Sequence, residues 1–536
     1  MSAPQDSPRS RTSFFLGAAT NWLAFAATLA VSFFLTPYLI GSLGKARYDV
    51  WCVVESVLAY FTLLDMGVAA CLVRYVARHH AAADRDGLNR MASACLVVFL
   101  AAGVVAAVVG TPVAVLISSK LDRRIDTAAA ALAGAPAAVA TAPGFAAMAG
   151  GSSDVTPFML LMLANLAATL PLSVFPSVLD GLERFAVKSA VRVVFLLLRT
   201  AGIVYAMTTM PGLLPLAVVY TVVSLAEHAV MAALCFRFLP GLRFSRRLVD
   251  RETLRQVRGY SADAFLAMLA GRVTVQTGAI VVGLFLPAGQ VTAFAVAARL
   301  VEYAKTLLRT ITTTLTPGVS AMEARGDHAG IRRLFLTATR WVLYIVLPVN
   351  LGLWFFGQPF LARWIKPEFV AESFPTVAIL ALTLSVGVAQ SVASRILYGL
   401  GRLRLFARLA LAEAGVNLVL TLVLVRPLGV EGVAWAVAGP NLVFCALVIG
   451  YAALQLGASA GDYFRAWLRP LLASAVPAAV WVAVGEPAAD WYAIAAAIAA
   501  GLVPYAVVVG VVEFRGRLTA SRWDAANRRS LTRSAP

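Results

Sequence analysis

The chain predicts an all-α fold that crosses a membrane about fourteen times. Three observations predict it. Of the 536 residues, 60% are hydrophobic and only 13% are charged, and the mean hydropathy is +0.81. A soluble domain of that composition could not cover itself with polar surface. Apolar runs of about 20 residues recur along the whole chain, the length a helix needs to cross hydrocarbon while satisfying its own backbone. The 45 Lys and Arg outnumber the 27 Asp and Glu, for a formal net charge of +18, and they bunch between the runs. In a soluble protein that excess would suggest nucleic acid. Here, basic residues collecting in cytoplasmic loops explain it, and no nucleic-acid partner is expected.

Taken in order, residues 1–13 are short and polar and read as a cytoplasmic N-terminus. The first span covers about Phe14 to Ile40 and is too long for a signal-peptide core, so it reads as uncleaved. A short outer turn from Leu43 to Tyr48 leads to the second span, about Val50 to Val73, which carries Glu55 and Asp65. A basic segment from Arg74 to Arg90 follows, then a third span from about Met91 to Ile117. Residues 118–156, rich in Ala, Gly and Pro, read as an external, flexible insertion with a marginal Ala-rich helix. Spans four to six are about Pro157 to Leu179, Ser189 to Met207 and Leu213 to Phe236. Residues 14–240 thus form an N-terminal six-helix lobe.

Seven arginines fall between Arg237 and Arg258, and residues 241–258 read as a basic cytoplasmic linker. It is expected to lie on the anionic inner leaflet, at about 1 kcal/mol per basic residue near the surface. Residues 259–456 give a second six-helix lobe. Its first two spans fill Tyr260 to Pro317 around a turn at Leu286 to Gly289. The others are about Leu334 to Phe360, Thr376 to Leu400, Leu405 to Val425, and one ending near Leu456. Residues 467–512 add a helix pair, and 513–536 form a basic cytoplasmic tail. On these bounds roughly 30 Lys and Arg lie in cytoplasmic segments and roughly 8 outside. Both termini are expected inside. The turns Leu43 to Tyr48 and Leu286 to Phe294 also resemble each other, a faint internal repeat of the kind transporters use.

The remaining basic residues lie within spans: Arg192, Arg199, Arg272, Arg299, Lys305, Arg309 and Arg395. Glu302, Lys305 and Arg309 share one helical stripe, with Arg299 beside it. Intramembrane charges are costly and usually face a bundle interior or a water-filled cavity. The candidate substrate-binding residues are Arg272, Arg299, Lys305, Arg309 and Arg395, lining a cavity for an anion. The candidate coupling or charge-balancing residues are Glu55, Asp65 and Glu302. The competing reading is snorkelling plus a structural ion pair of Glu302 with Arg299 or Lys305. Cys52, Cys71, Cys95, Cys235 and Cys445 lack metal-ligand spacing, His79 and His80 read as a solvated pair, and no metal or other cofactor is expected.

Certain stretches resemble a known family. They are Leu43 to Trp51, Leu64-Asp65-Met66-Gly67, Arg74-Tyr75, Val178 to Phe185, Leu397 to Arg402, and Asn417 with Pro427 to Ala434. In order and spacing they resemble bacterial polysaccharide flippases, which belong to the multidrug/oligosaccharidyl-lipid/polysaccharide exporter superfamily. The likeness covers nearly the whole chain except 118–156. It implies a multi-pass inner-membrane exporter acting in polysaccharide or lipopolysaccharide biosynthesis. Such a protein flips a polyprenyl-diphosphate-linked oligosaccharide by alternating access, beside glycosyltransferase and polymerase machinery, and carries no strict catalytic motif. The physics agrees. A diphosphate needs cationic partners, and Arg suits bidentate phosphate contact. The coupling ion, proton or sodium, is left open. The alternatives are a flippase for the lipid-linked peptidoglycan precursor and a cation-coupled drug exporter, which would favour an acidic cavity. A polytopic glycosyltransferase or ligase would need a catalytic extramembrane segment, and the one long loop offers no His. The expectation is a transporter and not an enzyme.

Overall fold

In the computed structural model the backbone is described for residues 8–65, 67–133, 154–312, 315–402, 404–487 and 490–533. Side chains are described for these residues apart from 8–23, 65, 124–133, 258–268, 310, 317 and 514–533. The described chain is all-α. Its helices are α1 (Pro8–Phe61), α2 (Val68–Ala81), α3 (Arg85–Ala133), α4 (Val155–Leu172), α5 (Val174–Gly181), α6 (Phe185–Thr209), α7 (Leu213–Phe238) and α8 (Arg251–Phe285). They continue as α9 (Gln290–Thr312), α10 (Leu315–Ala324), α11 (His328–Trp364), α12 (Val370–Gly399), α13 (Arg404–Gln455), α14 (Ala460–Val484) and α15 (Trp491–Arg533).

Among the described residues, 10 helices are long and apolar enough to cross a membrane. Two of them are each a pair of rods. Gly44 (φ 75°, ψ 165°) breaks α1, and Gly429 (φ 59°, ψ −137°) breaks α13. Only glycine adopts these backbone angles without strain, so each break reverses the chain where the sequence places an outer turn. With α9, whose charges keep it off that apolar count, and α8, whose described stretch Leu269–Phe285 is apolar but shorter, the rods correspond to the expected fourteen. The protein is a polytopic α-helical membrane protein.

Three local expectations are corrected. The second span is not continuous. It ends in a 3-10 turn at Thr62–Asp65 and restarts as α2 after Gly67, which sits at φ 73°. The fourth span divides at Ser173 into α4 and α5, one residue after the Pro171-Leu172 step. α3 runs past Ile117 to Ala133, so the first part of 118–156 is regular helix, and residues 134–153 lie outside the described residues. The end of α3 is tied to the start of α4, where Thr156 Oγ1 donates to Ser118 Oγ at 2.8 Å.

Packing groups the chain into two compact units, one of residues 1–295 with 417–433 and one of 296–416 with 434–536. The sequence division at 241–258 follows charge, whereas this grouping follows packing, and α8 falls in the first unit.

In the first unit, Cys71, Leu72 and Val76 of α2 pack with Met91, Cys95 and Phe99 of α3, Val178 and Leu179 of α5, and Met231 and Cys235 of α7. The five cysteines (Cys52, Cys71, Cys95, Cys235 and Cys445) are buried, and none forms a disulfide. α3 meets α4 closely: a Cβ on Gly103 would fall 2.7 Å from the Ala167 carbonyl oxygen, and one on Gly110 would fall 2.6 Å from Leu163. Small residues that let backbones approach supply contact area where lipid gives no hydrophobic drive for helices to associate.

In the second unit, Phe335, Leu343 and Leu347 of α11 pack with Leu384, Val388, Val392 and Ile396 of α12 and Val448 of α13. The C-terminal pair is joined by Trp481 of α14, 1% exposed, whose Nε1 donates to the Ala497 carbonyl at 2.9 Å. α15 is anchored to α11 as well. Tyr505 Oη donates to the Tyr344 carbonyl at 2.7 Å, and Tyr344 Oη donates to Glu513 Oε1 at 3.1 Å.

Candidate functional site

The stripe on α9 stays together. Lys305 is half-buried, and its charge interacts with Arg309 and Glu302 on its own helix and with Glu413 and Cys445 of α13. Arg309, also half-buried, brings Nη2 to 4.0 Å from where a Cβ on Gly387 of α12 would sit. Glu413 does not hang free. Its Oε1 accepts from Asn441 Nδ2 at 2.7 Å, and the Cys445 thiol approaches Asn441 Oδ1 at 3.8 Å. Among the described residues, Lys305 and Arg309 therefore share one carboxylate oriented from another rod, Glu413, besides Glu302 on their own helix. Glu302 is exposed, and its Oε1 accepts from Thr306 Oγ1 at 3.2 Å. Arg299 is half-buried, about one turn before Glu302 on the same helix. Arg395 is half-buried eight residues beyond Gly387, or about 12 Å along α12. Its carbonyl accepts from Thr316 Oγ1 at 3.4 Å.

The other candidates belong to the first unit. Arg272 is half-buried on α8. Further along α8, Thr277 Oγ1 shares a 2.5 Å hydrogen bond with Tyr60 Oη of α1. Glu55 is exposed on α1. The Asp65 side chain lies outside the described residues.

Arg199, one of the intramembrane bases, is neutralised here. Its Nη2 meets Glu227 Oε2 at 3.1 Å, and its guanidinium lies 4.5 Å over the Tyr220 ring. Tyr220 in turn packs edge-on against Trp51 at 5.6 Å. Among the described residues no group of three or more His, Cys, Asp or Glu side chains could hold a metal ion.

Sequence reasoning passes over two groups. One is the Glu413–Asn441 pair, whose members sit on the two rods of α13. The other is Asp49, 4% exposed. It follows the Gly44 break and caps α9. Asp49 Oδ2 accepts from Gly289 N at 2.5 Å, while Oδ1 accepts from Thr292 N at 2.7 Å and from Thr292 Oγ1 at 2.5 Å. A carboxylate there satisfies orphan amides and complements the positive end of the helix.

The fold is thus a multi-pass helical bundle with basic residues set inside its spans. The solved structures it resembles have that fold. One is the lipid II flippase MurJ in an inward closed conformation, at a TM-score of 0.70 and 12% identity, over 94% of this chain and 100% of that one. Another is an inward-facing multidrug-resistance MATE transporter of the MOP superfamily, at a TM-score of 0.60 and 15% identity, over 80% of this chain and 94% of that one. A point mutant of the Vibrio cholerae MATE transporter VcmN follows at 0.54 and 16% identity, over 85% of this chain and 100% of that one. No curated protein sequence matches the chain. The pattern of the polysaccharide biosynthesis protein family matches residues 16–323, and the chain belongs to that family. The likeness drawn from the sequence to polysaccharide flippases of this superfamily stands.

Proposed function

We infer that the protein flips a polyprenyl-diphosphate-linked oligosaccharide across the inner membrane for polysaccharide or lipopolysaccharide assembly, by alternating access. It lies with both termini in the cytoplasm and works beside the glycosyltransferases and polymerase that make and extend that glycan. No bond is made or broken in this reading. The observation that carries it is the cation excess among the described residues of the second unit's spans, where Arg299, Lys305, Arg309 and Arg395 stand against two carboxylates, Glu302 and Glu413. An unbalanced positive charge in a low dielectric is costly, and an anionic head group relieves it. Arg299, Arg395 and, in the first unit, Arg272 extend the same chemistry. Glu302, Glu55 and Asp65 are the further groups available to balance charge or carry a coupling proton or sodium ion. The acyl chain stays in lipid, and the sugar hydroxyls stay hydrated, which avoids several kcal/mol per stripped group.

The test is flipping in reconstituted vesicles. Arg309→Ala and Lys305→Ala should each slow flipping of an undecaprenyl-diphosphate-linked saccharide by about 10-fold or more, since a lost charge-assisted contact is worth about 1.5–3 kcal/mol. Arg309→Lys should recover part of the rate, because it keeps the charge and loses the planar fork. Unchanged flipping in both alanine variants at normal abundance would remove the cationic site from the mechanism. Faster turnover of the peptidoglycan precursor than of any saccharide-linked carrier would move the assignment to that substrate.

A further inference from the structure

The segment joining α7 to α8 reads in sequence as a diffusely basic linker, but its structure is a pinned strap. Asn89 and Ser93 lie one turn apart on α3 and bind it as a neighbouring backbone would. Asn89 Nδ2 donates to the Gly241 carbonyl at 3.2 Å, and Asn89 Oδ1 accepts from Arg243 N at 3.1 Å. Ser93 Oγ accepts from Ser245 N at 3.2 Å and donates to the Arg243 carbonyl at 3.5 Å. Between these pins Leu242, 6% exposed, enters the apolar cluster of α2, α3, α5 and α7. Phe244 packs against Phe175 of α5 and Phe236 of α7, with ring centroids at 5.8 and 6.3 Å. Ser245 Oγ then accepts from Arg247 N at 3.3 Å and starts a 3-10 turn at Arg246–Leu248. Asp250 closes the strap by capping α8, its Oδ1 accepting from Thr253 N at 2.6 Å.

With Leu242 and Phe244 turned inward, Arg243, Arg246 and Arg247 are exposed on the outer side. Two arginines of α3 flank them. Arg85 Nη1 lies 3.9 Å from where a Cβ on Gly241 would sit. Arg90 is close enough to act on the Asp250 carboxyl, which is held below the usual carboxylate range by its hydrogen bonds from Thr253 and, less strongly, by Arg90. No salt bridge among the described residues engages any of these five guanidinium groups. The acids nearby are Asp250, committed to its cap, Asp84, held by the Gly87 amide and His79, and the exposed Asp86 and Glu252. Beside this basic edge, Phe236 is 46% exposed. Exposed guanidinium groups on a pinned backbone, next to a half-exposed aromatic ring, match a ligand with a phosphate at one end and hydrocarbon at the other. A nucleic acid or an acidic protein would use the charge and leave the ring in water.

We propose that the strap of residues 240–250, with Arg85 and Arg90, is a binding site for the phosphate head group of an anionic phospholipid whose acyl chains lie along Phe236. This differs from the diffuse attraction of a basic loop in requiring the Asn89 and Ser93 pins. The assay is lipid retention and thermal stabilisation of the detergent-purified full-length protein, titrated with phosphatidylglycerol, phosphatidylcholine or glycerol 3-phosphate. Phosphatidylglycerol should stabilise the protein, and the other two should not. Arg243→Gln/Arg246→Gln/Arg247→Gln, all at exposed positions, should weaken phosphatidylglycerol binding at least 10-fold. Arg528→Gln/Arg529→Gln/Arg533→Gln removes equal charge from the tail and should leave binding unchanged. Asn89→Leu/Ser93→Ala keeps every arginine and should still weaken binding several-fold. If that double variant does not fold, the two glutamine triples alone decide. Equal losses in both triples would reduce the strap to diffuse attraction, and so would full binding by the strap triple. Stabilisation by glycerol 3-phosphate as strong as by the lipid would make it a phosphate site with no acyl component.

Discussion

Asp49→Ala tests how the turn at Gly44 and the start of α9 are held together. The carboxylate accepts two backbone amides, Gly289 N and Thr292 N, and the Thr292 hydroxyl. Truncation does not affect these donors equally. Thr292 Oγ1 keeps an acceptor, the Lys45 carbonyl at 3.2 Å. The two amides have none to replace the carboxylate, and the side chain they lose is 4% exposed, so water does not readily take its place. A buried orphan donor costs about 1–3 kcal/mol, so the pair costs about 2–6 kcal/mol. Loss of a helix cap by itself is worth about 1 kcal/mol, which is part of the same sum. The expected destabilisation is therefore about 4 kcal/mol. Asp49→Asn keeps one carbonyl acceptor and should cost about half as much. Both are measured as shifts in the denaturation midpoint of the purified protein at fixed detergent and lipid. A loss below about 1 kcal/mol for Asp49→Ala would show that the amides find other acceptors and that Asp49 is not what fixes the start of α9.

The remaining predictions concern other contacts. Glu413→Gln removes one of the two carboxylates beside Lys305 and Arg309, leaving Glu302, and should cost about 2–3 kcal/mol, with part of it recovered in Lys305→Met/Glu413→Gln; equal stability of the wild type and the single variant in chemical denaturation would contradict this. Trp481→Phe should cost about 1 kcal/mol through the lost Nε1 hydrogen bond to the Ala497 carbonyl, which keeps its partner within the helix. Gly501→Ala should cost more than that, because a Cβ there would overlap Trp481 Nε1 and force α14 and α15 apart; thermal unfolding of the two variants gives the order. The carboxyls of Asp84 and Asp250 are held below the usual range, Asp84 mainly by the Gly87 amide with His79 adding to it, Asp250 mainly by Thr253. Their folded values lie below their unfolded ones, so the stability they add is present above about pH 4 and is lost as the pH falls through the folded values. A stability profile from about pH 7 to about pH 3 should lose part of its acid limb in Asp84→Asn.

What can be read from the sequence, and what cannot, divides along a physical line. Span number follows from run length and charge, because a bilayer imposes both on composition. Interruptions inside runs do not, since the apolar run from Val50 to Val73 continues past Asp65 and Gly67 and only the backbone angle at Gly67 shows the break. Charge signs mark which residues must be neutralised, and they lead to Arg199 and the α9 stripe. They do not name partners, as Glu227, Glu413 and Glu513 show. Composition puts Glu513 in the polar tail, yet it is 8% exposed, bonded by Tyr344 and paired with Arg340 at 3.4 Å. Asp49 is the hardest case, because its partners are mostly backbone amides some 240 residues away, and an amide carries no side-chain signature. Yet the sequence holds an indirect pointer. The two outer turns that resemble each other, Leu43 to Tyr48 and Leu286 to Phe294, flank the groups that bond: Lys45 and Asp49 accept, Gly289 and Thr292 donate. Repeat-related turns on the same side of a bilayer are forced to similar depth, so one can cap the other. A carboxylate just after the glycine of one turn, facing unfilled amides at the start of the other's helix, is then the arrangement that leaves neither helix end unsatisfied.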